Sequence, residues 1–107
     1  MTPGPRLELE EEPTEISMPL LPDHRVLRLH LRNSGDEPVE LRRTGMRLLD
    51  EEGHDLRAVT RPPIMRLEPG DAAKLDVVYR VRDRASRPAR LEHAGLAVDL
   101  ATSAPRA

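Results

Sequence analysis

Histidine and serine are the residues of this chain from which catalysis could be built, because cysteine is absent. The four histidines are His24, His30, His54 and His93, and the four serines are Ser17, Ser34, Ser86 and Ser103. No serine lies in the Gly-x-Ser-x-Gly pattern of a nucleophile elbow, and no thiol is present to act as a nucleophile. No histidine has a spacing that would recruit a catalytic partner. We therefore predict that the protein is not an enzyme.

Imidazole and thioether groups are ligands that soft Cu(I) accepts. The histidines, together with Met18, Met46 and Met65, therefore raise the alternative of a copper-handling domain. The spacings do not favour it, since no His-x-His, Met-x-Met or His-x-x-x-His pair occurs. Met46 and Met65 fall where core residues are expected, and methionine readily fills gaps in a core without phenylalanine. We predict no bound metal and no cofactor.

The acidic segment around Gly53 superficially resembles a calcium-binding loop. It contains Asp50, Glu52 and Asp55. However, it lacks the Asp-x-Asp-x-Asp-Gly order and the distal bidentate glutamate of such loops. We interpret it as the acidic tip of a hairpin.

The most unusual local feature is a run of arginines late in the chain, from Arg80 to Arg90. On a strand, Arg80 and Arg82 share one face, and Arg84 and Arg87 fall in the loop that follows, so four guanidinium groups could meet an anionic partner. Nucleic acid is not the expected partner, because the chain carries a net charge of −2 and no reader motif. The interpretation that these arginines bind an acidic or anionic partner remains an alternative to a solvated face.

The composition of the chain limits the kind of fold that can position these residues. The chain has 107 residues, which is enough for one domain. Leu, Ile and Val make up 25 of them, and Tyr79 is the one aromatic residue, so the core must be aliphatic. The absence of cysteine excludes disulfides and thiolate-ligated metal clusters. The near absence of aromatics excludes base-stacking platforms for RNA or single-stranded DNA.

Apolar residues recur with the two-residue period of β-strands. From Ala73 to Arg82 the apolar residues take the odd positions, with Val78 as the exception. Leu27, Leu29 and Leu31 alternate in the same way with charged residues. We predict seven to nine short strands, near residues 15–18, 25–32, 38–43, 46–50, 55–59, 64–67, 72–82, 89–93 and 96–101, and no helix.

Turn residues separate these strands at intervals of 8 to 12 residues, a spacing typical of an antiparallel sandwich. Asn33 to Pro38 predicts a polar turn. Pro69-Gly70 matches a type II turn, and Ala94-Gly95 lies where a tight hairpin would be. The fold class expected is all-β, an antiparallel two-sheet sandwich of about seven to nine short strands.

The ends of the chain differ from its centre. Residues 1–13 are acidic and contain Pro3, Pro5 and Pro13, so we expect an N-terminal arm, although Leu7 and Leu9 alternate and could add an edge strand. The sandwich would occupy residues 14–101 and a tail residues 102–107. The sequence as written contains no signal segment and no membrane span, which predicts a cytoplasmic protein. An extracytoplasmic location is the alternative if the start is truncated.

Several of these segments together resemble a known group of proteins. They are LRLHLRNSGDEP at residues 27–38, the acidic Leu49 to Gly53 hairpin, and LEPGD at residues 67–71 before a long strand. Over residues 24–101 the chain is similar to bacterial immunoglobulin-like domains of unknown function, which are common in small secreted proteins and lipoproteins. The resemblance implies an immunoglobulin-like fold and no particular activity.

We therefore predict a non-catalytic binding or interaction module with an unknown protein partner. Val26 and Val78 are apolar positions on otherwise charged strand faces, and we expect a contact there.

Overall fold

A computed structural model describes residues 4–81 and 87–100 of the chain. Ten β-strands and one 3₁₀ turn account for the regular structure of these residues. The strands are β1 Leu7–Leu9, β2 Thr14–Ser17, β3 His24–Asn33, β4 Val39–Arg42, β5 Met46–Asp50, β6 Val59–Arg61, β7 Ile64–Leu67, β8 Ala72–Arg80, β9 Pro88–His93 and β10 Leu96–Asp99, and the 3₁₀ turn is Arg43–Gly45.

All strand pairs are antiparallel, and they form three sheets. The five-stranded sheet has the order β1-β3-β8-β6, with β2 also paired to β3, on the same side as β1. The three-stranded sheet has the order β10-β9-β5, and β4 and β7 form a two-stranded sheet. The all-β antiparallel class predicted from the alternation is confirmed for the described residues.

β3 and β8 are the long central strands of the five-stranded sheet. They pair over nine residues, from His24 opposite Arg80 to Arg32 opposite Ala72. Leucine and valine on the odd positions of both strands face inward and are buried, as the alternation predicts. The even positions carry mostly charged side chains and form the outer face of the sheet.

One hydrophobic core joins the three sheets. Each sheet contributes buried aliphatic side chains, for example Leu29 and Leu75 from the five-stranded sheet, Leu41 from the two-stranded sheet and Leu48 and Leu91 from the three-stranded sheet. Tight interdigitation of such side chains, rather than any staple, stabilises the domain.

The strand predicted at residues 55–59 is wrong in its bounds. Asp55 makes an isolated bridge to Leu49, and the strand itself begins only at Val59. Between them Arg57 has a φ of 53°, a left-handed backbone that no strand can contain, and its N–H donates to the Asp55 carboxylate at 2.8 Å. A local Asx turn therefore replaces the extended backbone here.

Residues 7–9 form a strand, β1, which the alternation of Leu7 and Leu9 allowed. It pairs with β3, and Leu7 is buried in the core. The preceding residues are also held, because Ser34 N–H donates to the Arg6 carbonyl at 2.9 Å. With β1, the described residues contain ten strands, one more than the upper end of the predicted seven to nine.

The predicted turns are confirmed. At Glu68 to Asp71 the N–H of Asp71 donates to the Glu68 carbonyl at 2.9 Å, and Gly70 has the positive φ of 87° that a type II turn requires. Ala94 and Gly95, with φ of 47° and 86°, form the two-residue turn between β9 and β10.

Candidate interaction surface

An apolar row crosses the outer face of the five-stranded sheet. It consists of Ile16, Val26, Val78 and Val59, one from each of β2, β3, β8 and β6. The register places Ile16 opposite Val26, Val26 opposite Val78, and Val78 opposite Val59. Because cross-strand partners lie about 4.5–5.5 Å apart at Cβ, the four β-branched side chains form one continuous strip. Ile16 is 36% exposed and Val59 is 44% exposed.

An apolar loop lies at the same end of the sheet. Residues 18–22, Met-Pro-Leu-Leu-Pro, connect β2 to β3. Leu20 is 93% exposed and Leu21 is 45% exposed. The row lies two residues from the start of β3, and His24 and Arg80 lie between it and the loop on the outer face. We call the apolar row and this apolar loop together the apolar surface.

Hydrogen bonds hold the apolar loop in one conformation. The N–H of Leu21 donates to the Met18 carbonyl at 3.0 Å, and the N–H of His24 donates to the Leu21 carbonyl at 2.9 Å. The guanidinium of Arg25 donates to the Pro22 carbonyl at 2.8 Å. Proline at both flanks of the leucine pair further restricts the backbone. The exposed leucines are therefore presented on an ordered turn.

Four of the five large hydrophobic side chains that are exposed in the described residues belong to the apolar surface. The fifth, Ile64, lies on β7 in the two-stranded sheet. Single exposed apolar residues are ordinary on protein surfaces, whereas larger apolar patches are a common feature of protein interaction sites.

Charged residues flank the row on the side toward the middle of the sheet. Arg28 donates two hydrogen bonds to Asp76, at 2.8 and 3.0 Å, and Arg61 lies opposite Asp76 on β6. The Arg28 hydrogen bond lowers the pKa of the Asp76 carboxyl below its ordinary value, and the charges of Arg61 and Lys74 lower it further. Asp76 therefore stays ionised between three cations.

The other flank of the row contains the first of the arginines singled out in the sequence. Arg80 lies opposite His24 on the outer face and donates to Asp23 at 3.0 Å. The hydrogen bond from His24 lowers the pKa of the Asp23 carboxyl, and the charge of Arg80 contributes to the same shift.

Arg87 is exposed and directly precedes β9. Arg82 and Arg84 lie outside the described residues, so the convergence of the four predicted guanidinium groups on one ligand stays a prediction.

Val26 and Val78, which the sequence suggested as a contact position, are cross-strand neighbours on the outer face. Ile16 and Val59 were missed, although they complete the row. Their own short strands show no clear alternation, and the register that aligns them with Val26 and Val78 depends on pairing between distant segments. The exposed Leu20-Leu21 pair between two prolines was the signal that sequence reasoning could have used.

The hydroxyl of Tyr79 finds the partner that a buried tyrosine needs. It donates to the Glu15 carboxylate at 2.6 Å, which ties β8 to β2 beneath the row. Burial and the Glu15 carboxylate raise the pKa of the Tyr79 hydroxyl well above its ordinary value. The tyrosine is thus a structural link rather than an exposed ligand contact.

The methionines and histidines considered for copper are distributed over the molecule. Met65 is buried in the core, and Met46 packs against the core and lies opposite His93 across β5 and β9. His93 Nε2 accepts a hydrogen bond from the N–H of Arg42 at 3.0 Å. His30 lies on the outer face and contacts Glu11 at 3.1 Å.

Within the part of the chain that the structure describes, Asp50, Glu52 and His54 bring possible ligand atoms within 4.8 Å of one another. Asp50 already has a structural role there. Its Oδ1 accepts the N–H groups of Glu52 and His54 at 2.9 and 2.8 Å, and it thereby closes the hairpin turn. The predicted acidic hairpin tip is present, and the carboxylate that is buried in it organises the backbone.

No family of known proteins, no curated protein and no solved structure matches the chain. Among residues 4–81 and 87–100, no helix has the length and apolar character needed to cross a membrane.

Proposed function

We propose that this protein is a non-catalytic interaction module with an immunoglobulin-like arrangement of strands. The sheet orders support the architecture. An immunoglobulin constant-type domain has strands A, B, E and D in one sheet and C, F and G in the other. If β1 and β2 are taken as strand A, the five-stranded sheet has the order A-B-E-D, and β5-β9-β10 has the order C-F-G. β4 and β7 would then be an additional pair between these strands.

The apolar surface is the part of the module that would bind a protein partner. The observation that carries this proposal is the collection of Ile16, Leu20, Leu21 and Val59 at one end of the five-stranded sheet. An apolar centre with a charged rim is the usual anatomy of a protein interface. In the proposed complex, the partner covers the row and the apolar loop together.

Selection of binders with and without the apolar surface tests the proposal. A displayed library of random dodecapeptides is selected on the wild-type protein, and the selected peptides are synthesised. Their affinities are then measured by fluorescence polarisation for the wild type, for Val59→Ser and for Ile64→Ser. Ile64 is the matched control because it is a β-branched residue that is at least as exposed, at 55% against 44% for Val59, but lies outside the apolar surface.

We expect Val59→Ser to weaken binding by about 10-fold, because a buried apolar contact is lost, and Ile64→Ser to leave the affinity unchanged. Circular dichroism of each variant establishes that it is folded. Peptides that bind equally well to the wild type and Val59→Ser, or that depend on Ile64, would overturn the proposal.

A further inference from the structure

Leu20 has the most exposed large apolar side chain in the described residues, and its backbone is ordered. Two turn hydrogen bonds and the prolines at positions 19 and 22 hold the apolar loop. A loop whose backbone already has its bound conformation loses less conformational entropy when a partner encloses it. Leu20 therefore has the properties of an anchor that enters a pocket on another molecule.

The outer face around the apolar row has more cations than carboxylates. On the strands, its cations are Arg28, Arg32, Arg61, Lys74 and Arg80 and its carboxylates are Glu8 and Asp76, while Asp23 and Glu11 lie beside it. Arg28 is paired with Asp76, Arg80 with Asp23, and Glu11 contacts His30. These pairs leave Arg32, Arg61 and Lys74 against the single carboxylate of Glu8. This surplus occurs on a chain whose net charge is −2. A surface of this kind attracts a partner with negative potential and disfavours one with positive potential.

Charge also decides between the possible occupants. A second copy that used the same face would bring together two surfaces that each carry Arg61 and Lys74. Such like-charge contacts are unfavourable in an interface from which water is excluded. An acidic partner gains a favourable contact at each of these positions instead.

We infer that the partner is a protein with an apolar pocket bordered by carboxylates, and that Leu20 occupies the pocket while the rim cations face the carboxylates. This inference rests on the proposed function, because it names the chemistry of what binds the apolar surface. Arg80 belongs to this cationic outer face. The acidic partner would therefore also be the anionic partner that the arginine-rich segment suggested.

The test uses the peptides selected on the wild-type protein as probes. Their composition is compared with that of the unselected library, and the affinity of each is measured at 50 and 300 mM NaCl. The variants are Leu20→Ser, Lys74→Glu combined with Arg61→Glu, and the control Ile64→Ser. All four positions are exposed, so folding is expected to survive, and circular dichroism checks this for each variant.

We expect the selected peptides to be enriched in both acidic and large apolar residues. Leu20→Ser and the charge reversal should each weaken their binding about 10-fold or more, and 300 mM NaCl should weaken it because salt screens the rim charges. Ile64→Ser should have no effect. This combination of results supports the inference.

Other outcomes separate the two proposals. Neutral or basic peptides whose binding is lost in Val59→Ser but not in the charge-reversed variant would overturn the acidic partner and leave the interaction surface standing. Peptides insensitive to Val59→Ser and Leu20→Ser would overturn both proposals.

Two further measurements address other occupants. A dimer in sedimentation velocity that Leu20→Ser abolishes would replace the acidic partner by a second copy. Co-sedimentation with vesicles of 70% phosphatidylcholine and 30% phosphatidylserine, lost in Leu20→Ser, would replace it by a lipid surface.

Discussion

Asn33 is a fully buried amide whose side chain links separate parts of the chain. Its Nδ2 donates to the carbonyls of Glu37 and Leu67 at 2.7 and 3.0 Å, and its Oδ1 accepts from the N–H of Gly35 at 2.9 Å. One side chain thereby joins the end of β3 to the turn that follows it and to the end of β7. The sequence indicated only a polar turn at this position.

The variant Asn33→Asp is expected to be less stable than the wild type by more than about 2 kcal/mol, because a carboxylate cannot donate to two buried carbonyls and its charge is desolvated. Urea unfolding followed by circular dichroism measures the difference in the free energy of unfolding. Arg32→Ala, at the exposed neighbouring position, is the control and should change this free energy by less than about 0.5 kcal/mol. Equal stabilities of the two variants would show that the amide contributes nothing.

Asp50 makes the stability of the protein depend on pH. The hydrogen bonds from the backbone N–H groups of His54 and Glu52 lower the pKa of its carboxyl in the folded state. In the unfolded chain the pKa of an aspartate is about 3.9. The stabilisation by the ionised carboxylate is therefore present above about pH 4, and it is lost as the pH falls through the lower pKa of the folded state.

Asp50→Asn keeps an oxygen acceptor for both N–H groups but carries no charge. The wild type should therefore have a larger free energy of unfolding than this variant at pH 7, and the difference should shrink as the pH falls below about 4. Urea unfolding at pH 3, 4, 5 and 7 tests this, with Glu51→Gln in the same turn as the control. A difference that does not vary with pH would contradict the assignment of the shift to Asp50.

At the scale of elements, β3 and β8 determine the fold because they supply the two inner strands of the largest sheet. Leu75 lies opposite Leu29 in the core, and Ala72, three residues earlier on the same strand, is exposed and lies opposite Arg32. The two positions allow the same substitution to be compared on the two faces of one strand.

Leu75→Asp is expected to prevent folding, since it places an unpaired carboxylate in the aliphatic core. Ala72→Asp introduces the same side chain on the outer side, next to Arg32, and should change the free energy of unfolding by less than about 0.5 kcal/mol. Far-UV circular dichroism and thermal unfolding of both variants measure the outcome. A cooperative transition of Leu75→Asp at the temperature of the wild type would contradict the assignment of faces.

The sequence located most of the strands well. β2 to β5 and β7 to β10 were predicted to within one or two residues, because turn residues bound them and apolar and charged residues alternate along the longest of them, β3 and β8. β6 was misplaced, since the left-handed backbone at Arg57 interrupts a stretch whose composition permits a strand. Local composition does not reveal such an interruption.

The apolar surface could be predicted only in part. The exposed valines of β3 and β8 were visible as exceptions to a charged face, because those two strands alternate clearly. Their alignment with Ile16 and Val59 depends on the pairing of four strands separated by long stretches of chain, and pairing register is a tertiary property. The Leu20-Leu21 pair between two prolines was visible in the sequence, but its exposure follows from where the apolar loop lies in the fold.

On the scale of the whole molecule, one feature of the five-stranded sheet affects how copies of the protein behave toward one another. β1 and β2 cover the same side of β3 in two short pieces, with Pro13 between them and Glu8, Glu11 and Glu15 in or beside them. A continuous exposed strand at that position would present a row of free backbone groups to which further chains could add. A short, broken and negatively charged strand presents no such template, so this edge of the sheet is protected from adding further chains in a fibrous aggregate, while the leucines of the apolar loop stay exposed.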